Sequence, residues 1–196
     1  MNKNVSWTIL RDDAVYDTNW ITVHDCDVIA PTGNQVSYGW VQYKHFAIGI
    51  LPIDENGWTW LVGQNRLCFD EYTWELPEGG GKESDDPIVS AERELAEEIG
   101  MQAQHYVPIL DRAQFSNSVT NEIGYAYIAH GLTPCAGEPD ETEALSVRHL
   151  PLKEVYEMMN QGKLTDMFTL AMLCRAYYLA NTGQLPEEIS KVFRDI

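Results

Sequence analysis

Between residues 5 and 43 apolar and polar side chains alternate in short runs, WTIL, WITVHDCDVIA and VSYGWVQY. That period of two is the mark of half-buried strands. The turn sequence Pro31-Thr32-Gly33-Asn34 interrupts the runs, so they predict a small antiparallel β-subdomain over residues 1–43. A second β block follows within residues 44–196: HFAIGILPI, a turn at Asp54-Glu55-Asn56-Gly57, then WTWLVGQNR. HYVPIL, IGYAYIAHGL and ALSVRHLP read as further strands, and LKEVYEMMNQG and MFTLAMLCRAYYLANTG as helices. The chain is therefore of the α/β class, and no linker rich in Pro, Ser or Gly divides it.

Residues 75–86, rich in glycine and acid, read as a loop, after which Asp86-Pro87 supplies a helix N-cap and a proline at the first helical position. The helix runs from Pro87 to Ile99, and Gly100 ends it. On a wheel of about 100° per residue, Ile88, Leu95 and Ile99 form the apolar arc that docks the helix. Glu94, Glu97 and Glu98 occupy another arc, predicted to look outward. An ordinary solvated face is one reading of this charge run. Against it, Glu94 and Glu98 repel at i,i+4 by roughly 0.2–0.5 kcal/mol. Carboxylates in a last helical turn also oppose the macrodipole by about 0.3–1 kcal/mol each. Only Arg93, four residues before Glu97, offers local relief. Clustered hard oxygens one turn apart suit Mg²⁺ or Mn²⁺, and Gly79, Gly80 and Gly81 would let backbone approach a ligand. On the residues alone both readings stay open.

Composition narrows the partners. Of the 196 residues 44% are hydrophobic, roughly 86 apolar side chains, enough for one core with a small appended subdomain. A net charge of −17 excludes nucleic-acid binding through a broad basic face and disfavours anionic membranes. A small anionic substrate then needs a local inversion of sign, which a bound divalent cation provides. Cys26, Cys68, Cys135 and Cys174 form no CxxC pair, and no run approaches the roughly 18 apolar residues of a membrane span. These features predict a soluble protein of a reducing cytoplasm.

The residues that carry chemistry also form a pattern. Gly79 is followed after five residues by Asp85, and after seven more by Arg93-Glu94-Leu95-Ala96-Glu97-Glu98-Ile99-Gly100-Met101. This closely resembles the Nudix box of the Nudix hydrolases, differing only in Asp85, where the family pattern has Glu. The wider stretch Gln64-Asn65-Arg66 and Trp74-Glu75-Leu76-Pro77-Glu78-Gly79-Gly80 is similar to the ADP-ribose pyrophosphatase branch.

The resemblance implies an α/β/α sandwich around a mixed sheet, with the N-terminal β-subdomain serving a homodimer and base stacking. It implies a metal site for Mg²⁺ or Mn²⁺ with Glu94 and Glu98 as direct ligands, Glu97 as a ligand or an outer partner, the carbonyl of Glu78 as a further ligand and Arg93 orienting the glutamates. Arg66 becomes the diphosphate clamp, beside the Gly79-Gly80 backbone, and Trp20, Trp40 and Tyr43 become candidate base stackers, Trp40 foremost. In the acidic loop Gly137 to Glu143, Glu141 is implied as general base and Glu143 as metal contact. The implied reaction is hydrolysis of a nucleoside diphosphate sugar, foremost ADP-ribose to AMP and ribose 5-phosphate. GDP-mannose, another nucleotide sugar or a dinucleotide are alternatives, as is a silent nucleotide sensor. Many ADP-ribose-cleaving members carry a proline shortly after the box, and Ala113 to Glu122 has none.

Overall fold

The computed structural model describes residues 6–137, 145–194 and 196. By their contacts they form two compact units, one of the chain up to Phe46 with Gln114–Ile123, the other of Ala47–Ala113 with Gly124–Ile196.

The first unit is built on an antiparallel meander of β1 (Thr8–Asp17), β2 (Ile21–Ile29) and β3 (Gln35–Tyr43). The pairing of β2 with β3 runs unbroken from Ile21 opposite Tyr43 to Ile29 opposite Gln35, turned by Gly33 at φ 90°. Strand β1 slips twice against β2, between Ile9 and Arg11 and between Ala14 and Tyr16, as bulged edge strands do. Arg11 ties the two strands together through Asp27 at 2.8 Å and Asp25 at 3.0 Å. Residues 116–121 join the same unit: Val41 N–H donates to the Val119 carbonyl at 2.8 Å and Tyr43 N–H to Asn121 at 2.6 Å.

The second unit holds the helices. Strands β4 (His45–Pro52), β7 (Glu78–Lys82), β8 (Met101–Gln114) and β9 (Ile123–Pro134) make a mixed sheet in the order β7-β4-β9-β8, with β4 and β9 parallel. Strands β5 (Trp58–Arg66), β6 (Glu71–Glu75) and β10 (Ser146–Pro151) make an antiparallel sheet in the order β10-β5-β6. Helices α1 (Pro87–Ile99), α2 (Leu152–Asn160), α3 (Met167–Asn181) and the short α4 (Glu187–Ser190) complete it.

The near-continuous apolar run of β4 suits a strand covered on both faces, and Ile48, Ile50 and Leu51 are fully buried. Leu61, Leu95, Ile128, Met172 and Leu173 join them. Helix α3 approaches β4 so closely that a Cβ on Gly49 would stand 2.5 Å from Met172 Sδ. Helix α1 packs on β7 and β5. It begins as the sequence predicts, Asp86 accepting the Ile88 N–H at 3.1 Å, and it ends on Gly100 in the left-handed region at φ 65°.

Two expectations are corrected. The glycine-rich segment is not a loop, since Glu78–Lys82 forms β7 beside β4, because sheet hydrogen bonding overrides the poor strand propensity of three glycines. Residues 71–75, not read as a strand, form β6 on the edge of the second sheet.

Candidate active site

The acidic arc of α1 does not look outward. Glu94 and Glu98 are each 8% exposed and share the buried face of the helix with Ser90, Ala91 and Leu95. Of the predicted apolar arc only Leu95 is buried, Ile88 and Ile99 lying half-buried. The cause is a set of polar partners that a wheel cannot display, for a buried carboxylate is tolerated only where donors meet it. Glu78 N–H donates to Glu98 Oε2 at 3.1 Å, and Gly80 N–H donates to Glu94 Oε1 at 3.1 Å. Strand β7 thus presents alternate backbone N–H groups to carboxylates one helical turn apart.

Arg93 binds this arrangement together. Its guanidinium donates to Glu97 Oε2 at 2.6 Å, to Glu94 Oε1 at 2.7 Å and to the Gly80 carbonyl at 2.7 Å. The i,i+4 contact to Glu97 is the one anticipated from the sequence. Burial pushes the Glu94 carboxyl above the usual carboxylate range, opposed by Arg93 and by the Gly80 N–H. A negative charge on Glu94 is therefore only partly compensated by the protein.

Gly79 faces the same carboxylate. A Cβ there would fall on the Glu94 carboxyl group, far inside ordinary contact at 3.4–4 Å. Glycine at this position makes room for Glu94, a role that chain flexibility alone does not describe.

Glu78 divides its groups. Its N–H serves Glu98, while its carboxylate turns to Thr169, whose hydroxyl donates to Glu78 Oε1 at 2.7 Å. Burial, with Asp166 beside it, holds the Glu78 carboxyl well above the usual range against the Thr169 hydrogen bond. Arg66 pairs with Glu75, which is 2% exposed and also accepts from Gln64 at 3.2 Å. Gln64, Arg66 and Glu75 thus meet across the β5-β6 pair.

Trp40 lies in the first unit, where its ring stacks on His24 with centroids 4.4 Å apart. It lines a cavity of about 260 Å³ with Trp7, Tyr38, Cys26 and Val28. Trp20 is exposed and rests on His45. Glu141 and Glu143 lie outside the described residues.

The donor set fits a hard divalent cation. Glu94 and Glu98 offer oxygens on one helix face, held at fixed positions by β7, and Glu97 lies beside them through Arg93. Among the described residues no group of three or more Asp, Glu, His or Cys side chains is gathered closely enough to hold a metal ion, so Glu94 and Glu98 offer two ligands and not a complete site. The sequence reading missed Thr169 and Asp166. Asp166 accepts the Thr169 N–H at 2.6 Å as the cap of α3, and an acid just before the apolar run MFTLAMLC was the available signal.

A hydrolase of CMP-5'-(N-acetyl-N-hydroxy-3-aminopropyl)phosphonate from Streptomyces rubellomurinus is 29% identical over 180 residues, 92% of this chain and 86% of that protein. An ADP-ribose pyrophosphatase from Mycobacterium tuberculosis is 29% identical over 145 residues, 71% of this chain and 69% of that one. The solved structure of an ADP compounds hydrolase superposes with a TM-score of 0.82 over 94% of this chain and 100% of its own, at 21% identity. That likeness establishes the mixed α/β fold. The NUDIX domain profile matches residues 43–168, so the chain belongs to the NUDIX family.

Proposed function

We propose that the chain is a metal-dependent hydrolase of a nucleoside diphosphate joined to a further group, with ADP-ribose the leading substrate and AMP and ribose 5-phosphate its products. The observation that carries this reading is the pair Glu94 and Glu98, buried against the N–H groups of β7 and steadied by Arg93. Mg²⁺ or Mn²⁺ would be held by Glu94, Glu98 and Glu97, with the Glu78 carbonyl and Glu143 as further contacts. Such a cation supplies charge neutralisation and Lewis acidity toward a diphosphate.

The remaining roles fall to the chain itself. Glu141 takes the proton of the attacking water as general base. Arg66, oriented by Glu75, binds diphosphate oxygens, and the Gly79-Gly80 backbone lines their approach. Arg93 keeps the glutamates in place, and Trp40 stacks the base. The protein works as a cytoplasmic homodimer in which the first unit serves assembly. No described helix is long and apolar enough to cross a membrane.

A second reading has its own support. The relative acting on a CMP-linked phosphonate matches 92% of this chain, against 71% for the ADP-ribose pyrophosphatase. The substrate is then a nucleoside monophosphate in anhydride linkage to a phosphonate. Incubation with Mg²⁺ and ADP-ribose, GDP-mannose, UDP-glucose, NADH or a CMP-linked phosphonate, read as nucleoside monophosphate release, separates the two. Preferential AMP release from ADP-ribose, lost with EDTA and in Glu98→Gln, supports the first. CMP release alone supports the second, and near-normal turnover by Glu98→Gln sinks both.

A further inference from the structure

Thr169 is fully buried in the first turn of α3, and its backbone N–H is fixed by Asp166 at 2.6 Å. Its hydroxyl makes two bonds. It accepts the Leu76 N–H at 2.9 Å and donates to Glu78 Oε1 at 2.7 Å. These partners flank Pro77, which has no N–H to offer and whose carbonyl accepts the Ile50 N–H at 2.9 Å. The chain around Pro77 is thus held from α3 on one hand and from β4 on the other. The next backbone donor, Glu78 N–H, reaches Glu98 Oε2 at 3.1 Å.

We infer that Thr169 is a positioning residue, a two-bond clamp across Pro77 that sets the direction of the Glu78 N–H and through it the Glu98 carboxylate. This rests on the reading of Glu98 as a cation ligand given under the proposed function. A hydroxyl carries one donor and two acceptor sites, so a single threonine can hold a backbone N–H and a side-chain carboxyl at once. Valine has nearly the same shape and can hold neither. Thr169 follows directly on the matched NUDIX region, residues 43–168, so the clamp comes from outside the segment that carries the box.

The test uses the full chain with Thr169→Val and Thr169→Ser, reading three quantities: amide exchange at Leu76 and Glu78, Mn²⁺ binding by calorimetry, and kcat against KM on whichever nucleotide the parent hydrolyses. In Thr169→Val both amides should exchange at least about tenfold faster, Mn²⁺ affinity should fall about tenfold, and at saturating Mn²⁺ kcat should fall about 10–100-fold with KM nearly unchanged. Thr169→Ser keeps the hydroxyl and should restore all three to within about threefold of the parent. Parent-like exchange and Mn²⁺ affinity in Thr169→Val would overturn the clamp, and so would equal losses in the serine variant, which would assign the effect to the methyl group. If Thr169→Val does not fold, Thr169→Cys, with only a weak S–H donor, replaces it under the same criteria. Faster exchange in Thr169→Val, beside a parent that binds no Mn²⁺, would keep the clamp and discard the metal reading.

Discussion

Gly79→Ala should separate folding from catalysis. The added methyl group would coincide with the Glu94 carboxyl group, and since that group ends a flexible side chain, it and not the backbone should yield. In yielding, Glu94 gives up the Gly80 N–H at 3.1 Å and Arg93 Nη2 at 2.7 Å. Bonds to charged groups contribute about 1.5–3 kcal/mol each when intact. Two effects reduce the loss. The Arg93 side chain is 46% exposed, so its pairing is screened, and a carboxylate that swings toward water escapes the burial that now raises its pKa. The net destabilisation should be about 1–2 kcal/mol, a fall in Tm of roughly 2–8 °C for a chain of this size. Catalysis has no such compensation. Displacing an outer partner of a metal site lowers activity by about 10–100-fold, and displacing a ligand should exceed that. Thermal unfolding and steady-state nucleoside monophosphate release, measured on the same preparation, give both numbers. Turnover within about threefold of the parent would refute the placement of Glu94 at the reacting centre, and a Tm loss beyond roughly 10 °C would show that β7 yields instead.

Other outcomes can be checked with the same protein. Arg66→Met should lower stability by about 1–3 kcal/mol in urea unfolding by leaving Glu75 without its ion pair, and the added change Glu75→Gln should recover part of that loss. Arg93→Lys should lower kcat by about 10–100-fold, since one ammonium cannot reach Glu97, Glu94 and the Gly80 carbonyl together as the guanidinium does. Lys44 and Thr22 hold the Asp17 carboxyl below the usual range. A group depressed in the folded state stabilises above its unfolded pKa, and that contribution disappears as pH falls through the folded value. Carbon NMR should therefore find Asp17 titrating below an ordinary aspartate, and Lys44→Met should move it upward. An unchanged midpoint in that variant would refute the assignment.

How far the sequence discloses this molecule depends on the range of the interactions. Helix α1 is legible because its signals are local: an aspartate cap, a proline at the first position and a glycine that takes φ 65°. The site glutamates are legible as residues, but their burial is not. A helical wheel counts Glu94 and Glu98 as polar, and the N–H groups that allow them inward come from Gly80 and Glu78, 14 and 20 residues away in sequence. Strand β7 is hidden for a related reason, since its glycines lack strand propensity and only pairing with β4 makes the strand. The Thr169 bonds span more than ninety residues and leave no periodic trace. Where propensity and pattern disagree with the fold, as at Glu94, Glu98 and Gly79, the conflict falls at the candidate site, where such exceptions are expected.

The charge balance of that site connects it to the composition of the whole chain. Glu94, Glu97 and Glu98 bring three carboxylates, and Arg93 supplies one guanidinium among them. Arg66, the arginine proposed to bind the diphosphate, is itself paired with the buried Glu75. An anionic substrate approaching a protein of net charge −17 therefore meets arginines already engaged by carboxylates, inside a field that repels it. Burial raises the Glu94 pKa and Arg93 only partly opposes it, so a cation beside Glu94 would favour its ionised form. One divalent cation would balance the two negative charges left over from the three glutamates and Arg93, and a second would make the site attractive to a diphosphate. Metal concentration should thus act on substrate binding as well as on turnover. The measurement is KM against free Mg²⁺: a KM that falls as Mg²⁺ rises follows from this balance, and a KM independent of Mg²⁺ across the activating range would refute it.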